Sequence, residues 1–154
     1  MVRKTIKTEN NKITEPSFGN AALSNDNRSF FSFSENKKTY TAENSWGKIG
    51  IRLQIDGNLY TATSTKKCDK GLLLEDGKLY LIELKGVDIN TACEQLIATL
   101  TLLKNDYKDF DFNYYGIIVA KKGIPETNSL RQRAIKIFGK DKFLLRENSL
   151  TEKI

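Results

Sequence analysis

The residues best suited to chemistry lie between Cys68 and Gln95, in the run CDKGLLLEDGKLYLIELKGVDINTACEQ. Asp69 opens one short apolar run, and a second run ends in Glu83-Leu84-Lys85. In an extended strand, residues two apart share a face, so Glu83 and Lys85 project together roughly 7 Å apart while Leu84 faces the opposite layer. Leu79 and Leu81 share the Glu83 face, which therefore changes from core to charge at the C-terminal end of the strand. Two charges at the end of a buried strand cost several kcal/mol unless they pair or bind a metal. A plain salt bridge would satisfy Glu83 and Lys85. The same groups also suit metal-dependent phosphodiester hydrolysis. Carboxylates bind a hard cation, the cation polarises phosphate and acidifies water, and a lysine offsets developing negative charge.

Whether Asp69 joins that pair depends on hairpin register. A three-residue Glu75-Asp76-Gly77 loop, with Gly77 left-handed, pairs Leu74 with Lys78 and sets Asp69 opposite Glu83 on the same face. A two-residue Asp76-Gly77 loop sets Asp69 opposite Leu84, facing away, and leaves it an ordinary turn residue.

The elements around these residues read as an α/β fold, a mixed central sheet flanked by helices. Ile49, Ile51, Leu53 and Ile55 alternate with Lys48, Gly50, Arg52 and Gln54, the period of a half-buried strand. Asp56-Gly57 ends it, and Leu59 to Thr63 is the expected hairpin partner. Gly71–Leu74 and Leu79–Leu84 form a second hairpin, covered on both faces. Asp88 caps a helix on which Ile89, Ala92, Cys93, Leu96, Leu100 and Leu103 recur at helical spacing. Tyr114 to Ala120 is a further buried strand, parallel to the one before the helix. Pro125 opens a second helix, about Glu126 to Phe138, stopped by Gly139, and Phe143 to Arg146 adds an edge strand. Residues 1–29, rich in Asn, Lys, Thr and Ser, read as a poorly ordered or loosely packed arm, and residues 30–154 as one domain.

Composition narrows the chemistry. The chain of 154 residues contains no histidine, which excludes Ser-His-Asp and Cys-His catalysis and histidine-ligated zinc. Its two cysteines, Cys68 and Cys93, cannot make a four-cysteine zinc site and read as reduced thiols of a cytoplasmic protein. The start, MVRKTIKTENNKITEP, lacks the apolar segment of a secretory signal, and no run reaches the ~20 apolar residues of a membrane span. A net charge of +6 favours a polyanionic partner.

Cys-Asp-x-x-Leu-Leu, a short turn, Tyr-Leu-Ile-Glu-Leu-Lys-Gly and a following helix with Ala-x-x-Gln-Leu resemble the PD-(D/E)xK nuclease superfamily, most closely its small restriction-endonuclease-like members. The resemblance covers about Glu43 to Ala120. It implies a metal-dependent endonuclease in which Asp69, Glu83 and the Leu84 backbone carbonyl hold Mg²⁺, with Mn²⁺ as substitute. Lys85 orients or activates the attacking water and steadies the phosphate. Gln95 sits where related nucleases present a glutamine toward the site, although it reads equally as an exposed helix residue. The family adds an acid from an upstream helix, and Glu43, with Glu35 behind it, is the candidate. The proline that commonly precedes the aspartate is Cys68 here, and the tyrosine of a Gln-x-x-x-Tyr helix motif falls at Thr99. Lys66, Lys67 and Lys70 flank Asp69 as candidate nucleic-acid contacts. The expected partner is nucleic acid, DNA in preference to RNA, handled alone, as a homodimer or in a larger complex. The alternative is a catalytically silent protein of the same fold that binds nucleic acid or protein.

Overall fold

The structure is a computed structural model and describes residues 3–62, 66–84, 88–121 and 129–154. Thr63, Lys85, Pro125 and Glu126 therefore lie outside the described residues. In chain order the strands are β1 (Lys7–Glu9), β2 (Lys12–Glu15), β3 (Ala22–Asp26), β4 (Phe30–Glu35), β5 (Lys38–Glu43), β6 (Gly50–Gln54), β7 (Lys70–Leu74) and β8 (Lys78–Glu83). Helix α1 (Ile89–Asp106), β9 (Asn113–Ala120), α2 (Ser129–Phe138), β10 (Phe143–Glu147) and β11 (Ser149–Lys153) follow.

Six strands form a mixed sheet in the order β10-β9-β8-β7-β6-β3. β8, β9 and β10 run parallel, while β6, β7 and β8 alternate in direction. The parallel step from β8 to β9 follows from the helix between them, since a tight turn can only return a chain antiparallel. Leu73, Leu79, Leu81, Ile118 and Ala120 pack with Ala92, Cys93, Leu96, Leu100 and Leu103 of α1 and with Ala134 and Phe138 of α2. The opposite face, Leu72, Leu74, Tyr80, Ile82, Leu84, Ile117 and Val119, packs on Phe31, Phe33, Tyr40 and Ala42. Those four residues belong to a second sheet, β11-β5-β4. Burial on both faces explains the near-continuous apolar runs of β7, β8 and β9. Among the described residues, no helix is long and apolar enough to cross a membrane.

Two expectations are corrected here. Leu59 and its neighbours do not return as a strand beside β6. Asp56 to Tyr60 is a tight turn, closed by Leu59 N–H to the Gln54 carbonyl (3.1 Å) and Tyr60 N–H to the Ile55 carbonyl (3.0 Å). β6 pairs instead with β3, from the segment read as a loose arm. That segment is built into the fold: Ile13, Phe18 and Ala21 are buried in the helix-side core. Asn10 and Asn11 take the positive φ angles (52° and 59°) that a two-residue hairpin between β1 and β2 needs.

The small sheet presses closely on the large one. A methyl group at Gly50 would stand 2.7 Å from Phe31 Cζ and 3.1 Å from Leu74 Cδ2, and both side chains are fully buried. Gly50→Ala is therefore expected to destabilise the protein by about 1–3 kcal/mol through overpacking, read from urea denaturation. An unchanged midpoint would show that the two sheets do not pack as described.

Candidate functional site

The turn between β7 and β8 decides the site. Gly77 is left-handed (φ 94°) and its N–H reaches the Leu74 carbonyl at 2.9 Å, so Glu75-Asp76-Gly77 forms the loop. The ladder then runs Leu73 to Leu79, Gly71 to Leu81 and Lys70 to Ile82. The next step places Asp69 opposite Glu83. Both lie on the helix face, since Leu73, Leu79 and Leu81 of that parity pack under α1. Directly opposed residues on adjacent strands have Cβ atoms about 5 Å apart. Asp69 is 1% exposed and Glu83 0% exposed. The register brings two carboxylates together at the end of the sheet, out of water.

Three sets of bonds hold Asp69. Its Oδ2 accepts the Leu84 N–H at 2.9 Å. Its carbonyl accepts the Ile55 and Asp56 N–H groups at 3.1 and 3.3 Å, which ties it to the end of β6. One residue earlier, the Cys68 N–H donates to Thr99 Oγ1 of α1 at 2.8 Å. A proline at position 68 could not make that bond. The Cys68 thiol is held protonated, its pKa raised by burial first and then by the charge of Glu83, with Asp69 adding to it. Burial likewise pushes the Cys93 thiol up to about 11, against the opposing charge of Arg131.

Helix α1 is fixed over this corner. Asp88 caps it, accepting the Asn90 N–H at 3.0 Å and the Thr91 hydroxyl at 2.8 Å. Lys66 forms an ion pair with Glu94, so the first half of α1 lies against the segment leading to Asp69. Gln95 is half-buried, flanked along the helix by buried Ala92 and Thr99. It stands on the side of α1 that meets Cys68.

Other expected residues fall elsewhere. Glu43 is the last residue of β5, in the small sheet, paired with Phe30 and Lys153. Its alternate neighbours Tyr40 and Ala42 point into the core between the sheets, so Glu43 points away from it. Glu43 is thus separated from Asp69 and Glu83 by the large sheet and cannot serve as the upstream acid; Glu35, at the β4–β5 turn, is in the same layer. Lys67 is not a surface cation: at 6% exposure its ammonium turns inward to the Ala62 carbonyl and to Asp56 at 3.5 Å. Lys70 has the parity of Leu72 and Leu74, on the face away from Asp69, and bonds Gln54. Lys66 keeps an exposed side chain near the site (58%). Lys85 lies outside the described residues. Thr99 is the residue that sequence reasoning missed; its signal was a hydroxyl inside the stripe of Leu96, Leu100 and Leu103.

The donor set suits a hard cation. Mg²⁺ is commonly held by one or two carboxylates and completed by water and substrate phosphate oxygens. Asp69 and Glu83 supply the two carboxylates such an ion would need. Among the described residues, no three His, Cys, Asp or Glu side chains form a metal-holding group, so a cation here would have two carboxylates and backbone oxygens as its protein ligands. Compared with known proteins, the chain matches no family model, no curated protein and no solved structure.

The bond from Leu84 N–H makes a stability test possible without metal. Asp69→Asn keeps an acceptor for that buried N–H, whereas Asp69→Ala leaves the N–H unsatisfied. In EDTA the alanine variant should be less stable than the asparagine variant by about 1–3 kcal/mol, read from denaturant midpoints. Equal stabilities would mean that the bond does not hold Asp69.

Proposed function

We propose that this protein is a Mg²⁺-dependent nuclease with a restriction-endonuclease-like core, hydrolysing phosphodiester bonds of nucleic acid, DNA in preference to RNA. The observation that carries the reading is the odd hairpin register, which sets Asp69 beside Glu83 on the helix face. The order β6, β7, β8, α1, β9, antiparallel and then parallel across α1, agrees with the family that the motifs resemble.

In this reading Asp69, Glu83 and the Leu84 carbonyl hold the cation. When bound, it supplies Lewis-acid polarisation of the scissile phosphate and acidifies water. Lys85 orients the attacking water and offsets the negative charge that builds on the phosphate. Gln95 approaches from α1, and Lys66 contacts the backbone of the nucleic acid after exchanging Glu94 for phosphate. The buried surroundings strengthen each of these interactions relative to water. A lone site of this kind nicks one strand, and a homodimer would be needed for paired cuts. The reduced thiols suit a cytoplasmic setting.

A second reading, a catalytically silent nuclease-fold binding module, is favoured by one observation: the two carboxylates are 1% and 0% exposed. Plasmid nicking in Mg²⁺ separates the two. Wild type should nick, and Glu83→Gln and Lys85→Ala should each lose about a hundredfold or more while keeping their far-ultraviolet circular dichroism. Cleavage that persists in carefully purified Lys85→Ala would sink the mechanism. Retention of nucleic acid without cleavage in either Mg²⁺ or Mn²⁺ would establish the binding module.

A further inference from the structure

We infer that Thr99 is a positioning residue that holds Asp69 in its ligating place by clamping the preceding peptide to helix α1; its catalytic consequence rests on the nuclease reading above.

Thr99 is completely buried. Its hydroxyl donates to the Gln95 carbonyl one turn back at 2.7 Å. A hydroxyl has one hydrogen, so that bond commits it and leaves only lone pairs to face the strand. The Cys68 N–H meets them at 2.8 Å. The polarity of the clamp is thereby set: the helix supplies an acceptor, and the strand must supply a donor. Threonine inside a helix often bonds the i−4 carbonyl without further purpose. Here the same oxygen also satisfies a buried N–H that lies 31 residues away in sequence and directly precedes Asp69.

The geometry leaves Asp69 little freedom. Its carbonyl is fixed by Ile55 and Asp56 on the β6 side, its Oδ2 by the Leu84 N–H, and its N-terminal neighbour by Thr99. Thr99 is the member of this set that comes from a helix. It also ties the backbone of Gln95, so the two elements that supply groups to the site share one hydroxyl. Valine has the same shape and neither bond. Replacing Thr99 by valine leaves the Cys68 N–H buried without its acceptor, and the strand end must shift to satisfy it. Loss of such outer-shell support lowers metal affinity by about 10- to 100-fold.

The test compares Thr99→Val and Thr99→Ser with wild type by amide hydrogen exchange and by Mn²⁺ titration calorimetry, with and without a short DNA duplex. Thr99→Ala replaces the valine variant if valine does not fold. Thr99→Val should lose protection at the Cys68 and Leu84 amides and bind Mn²⁺ about 10- to 100-fold more weakly, whereas Thr99→Ser should behave as wild type. Rescue by serine is the readout that a packing role alone would not give. Wild-type Leu84 protection and Mn²⁺ affinity in Thr99→Val would overturn the inference, and so would a serine variant as defective as valine. If wild type takes no Mn²⁺ while Thr99→Val still loses Leu84 protection, the nuclease reading fails and the clamp on Asp69 stands.

Discussion

Two carboxylates side by side at the end of a buried strand are the constraint on which the rest of this structure depends. A carboxylate taken out of water costs several kcal/mol unless it is hydrogen-bonded, paired or bound to a metal. The chain keeps them there through a turn of a particular length. Gly77 takes the left-handed conformation, three residues close the hairpin, and Asp69 meets Glu83 rather than Leu84. One residue more or fewer in that turn would rotate Asp69 to the far side of the sheet.

Around the pair, each layer contributes something different. β6 fixes the Asp69 carbonyl, β8 offers the Leu84 N–H to its side chain, and α1 covers the corner while tying down Cys68. The small sheet serves packing. It buries the other face of β7 and β8 under Phe31, Phe33, Tyr40 and Ala42, which keeps both strands rigid on the side away from the acids. Tyr40 itself is anchored across that sheet by a 2.5 Å hydrogen bond to Glu152 on β11. A site built on such strands and a helix is held more tightly than one built on loops.

What the sequence revealed follows from how local each signal is. The β7–β8 hairpin, the Asp88 cap, the parallel strand β9 and the existence of an edge strand at β10 all rest on neighbouring residues and were legible. The register was legible only as a choice between two loops, because Glu75-Asp76-Gly77 accommodates both lengths. The N-terminal strands were not legible. β1 is exposed along its length and β3 is an edge strand of mixed exposure, so neither carries the apolar alternation that marks a strand. The partnership of β5 with β11 joins residues over a hundred apart in the chain, beyond any local pattern. Glu43 was misplaced for that reason: Tyr40-Thr41-Ala42-Glu43 is short enough to read as helix or strand. Lys67 looked like a surface cation until its partner Asp56 was in view. Thr99 was invisible as a functional residue because its partner, the Cys68 N–H, is a backbone group that no side-chain motif records.

The central claim is that the buried acid pair is a metal site. Anomalous diffraction at the manganese edge, from crystals soaked in Mn²⁺ with and without a bound DNA duplex, tests it most directly. The account predicts one peak between the carboxylates of Asp69 and Glu83 and within reach of the Leu84 carbonyl, absent from an Asp69→Asn/Glu83→Gln protein. Manganese ordered elsewhere with no peak at the pair, in the presence of DNA, would contradict it.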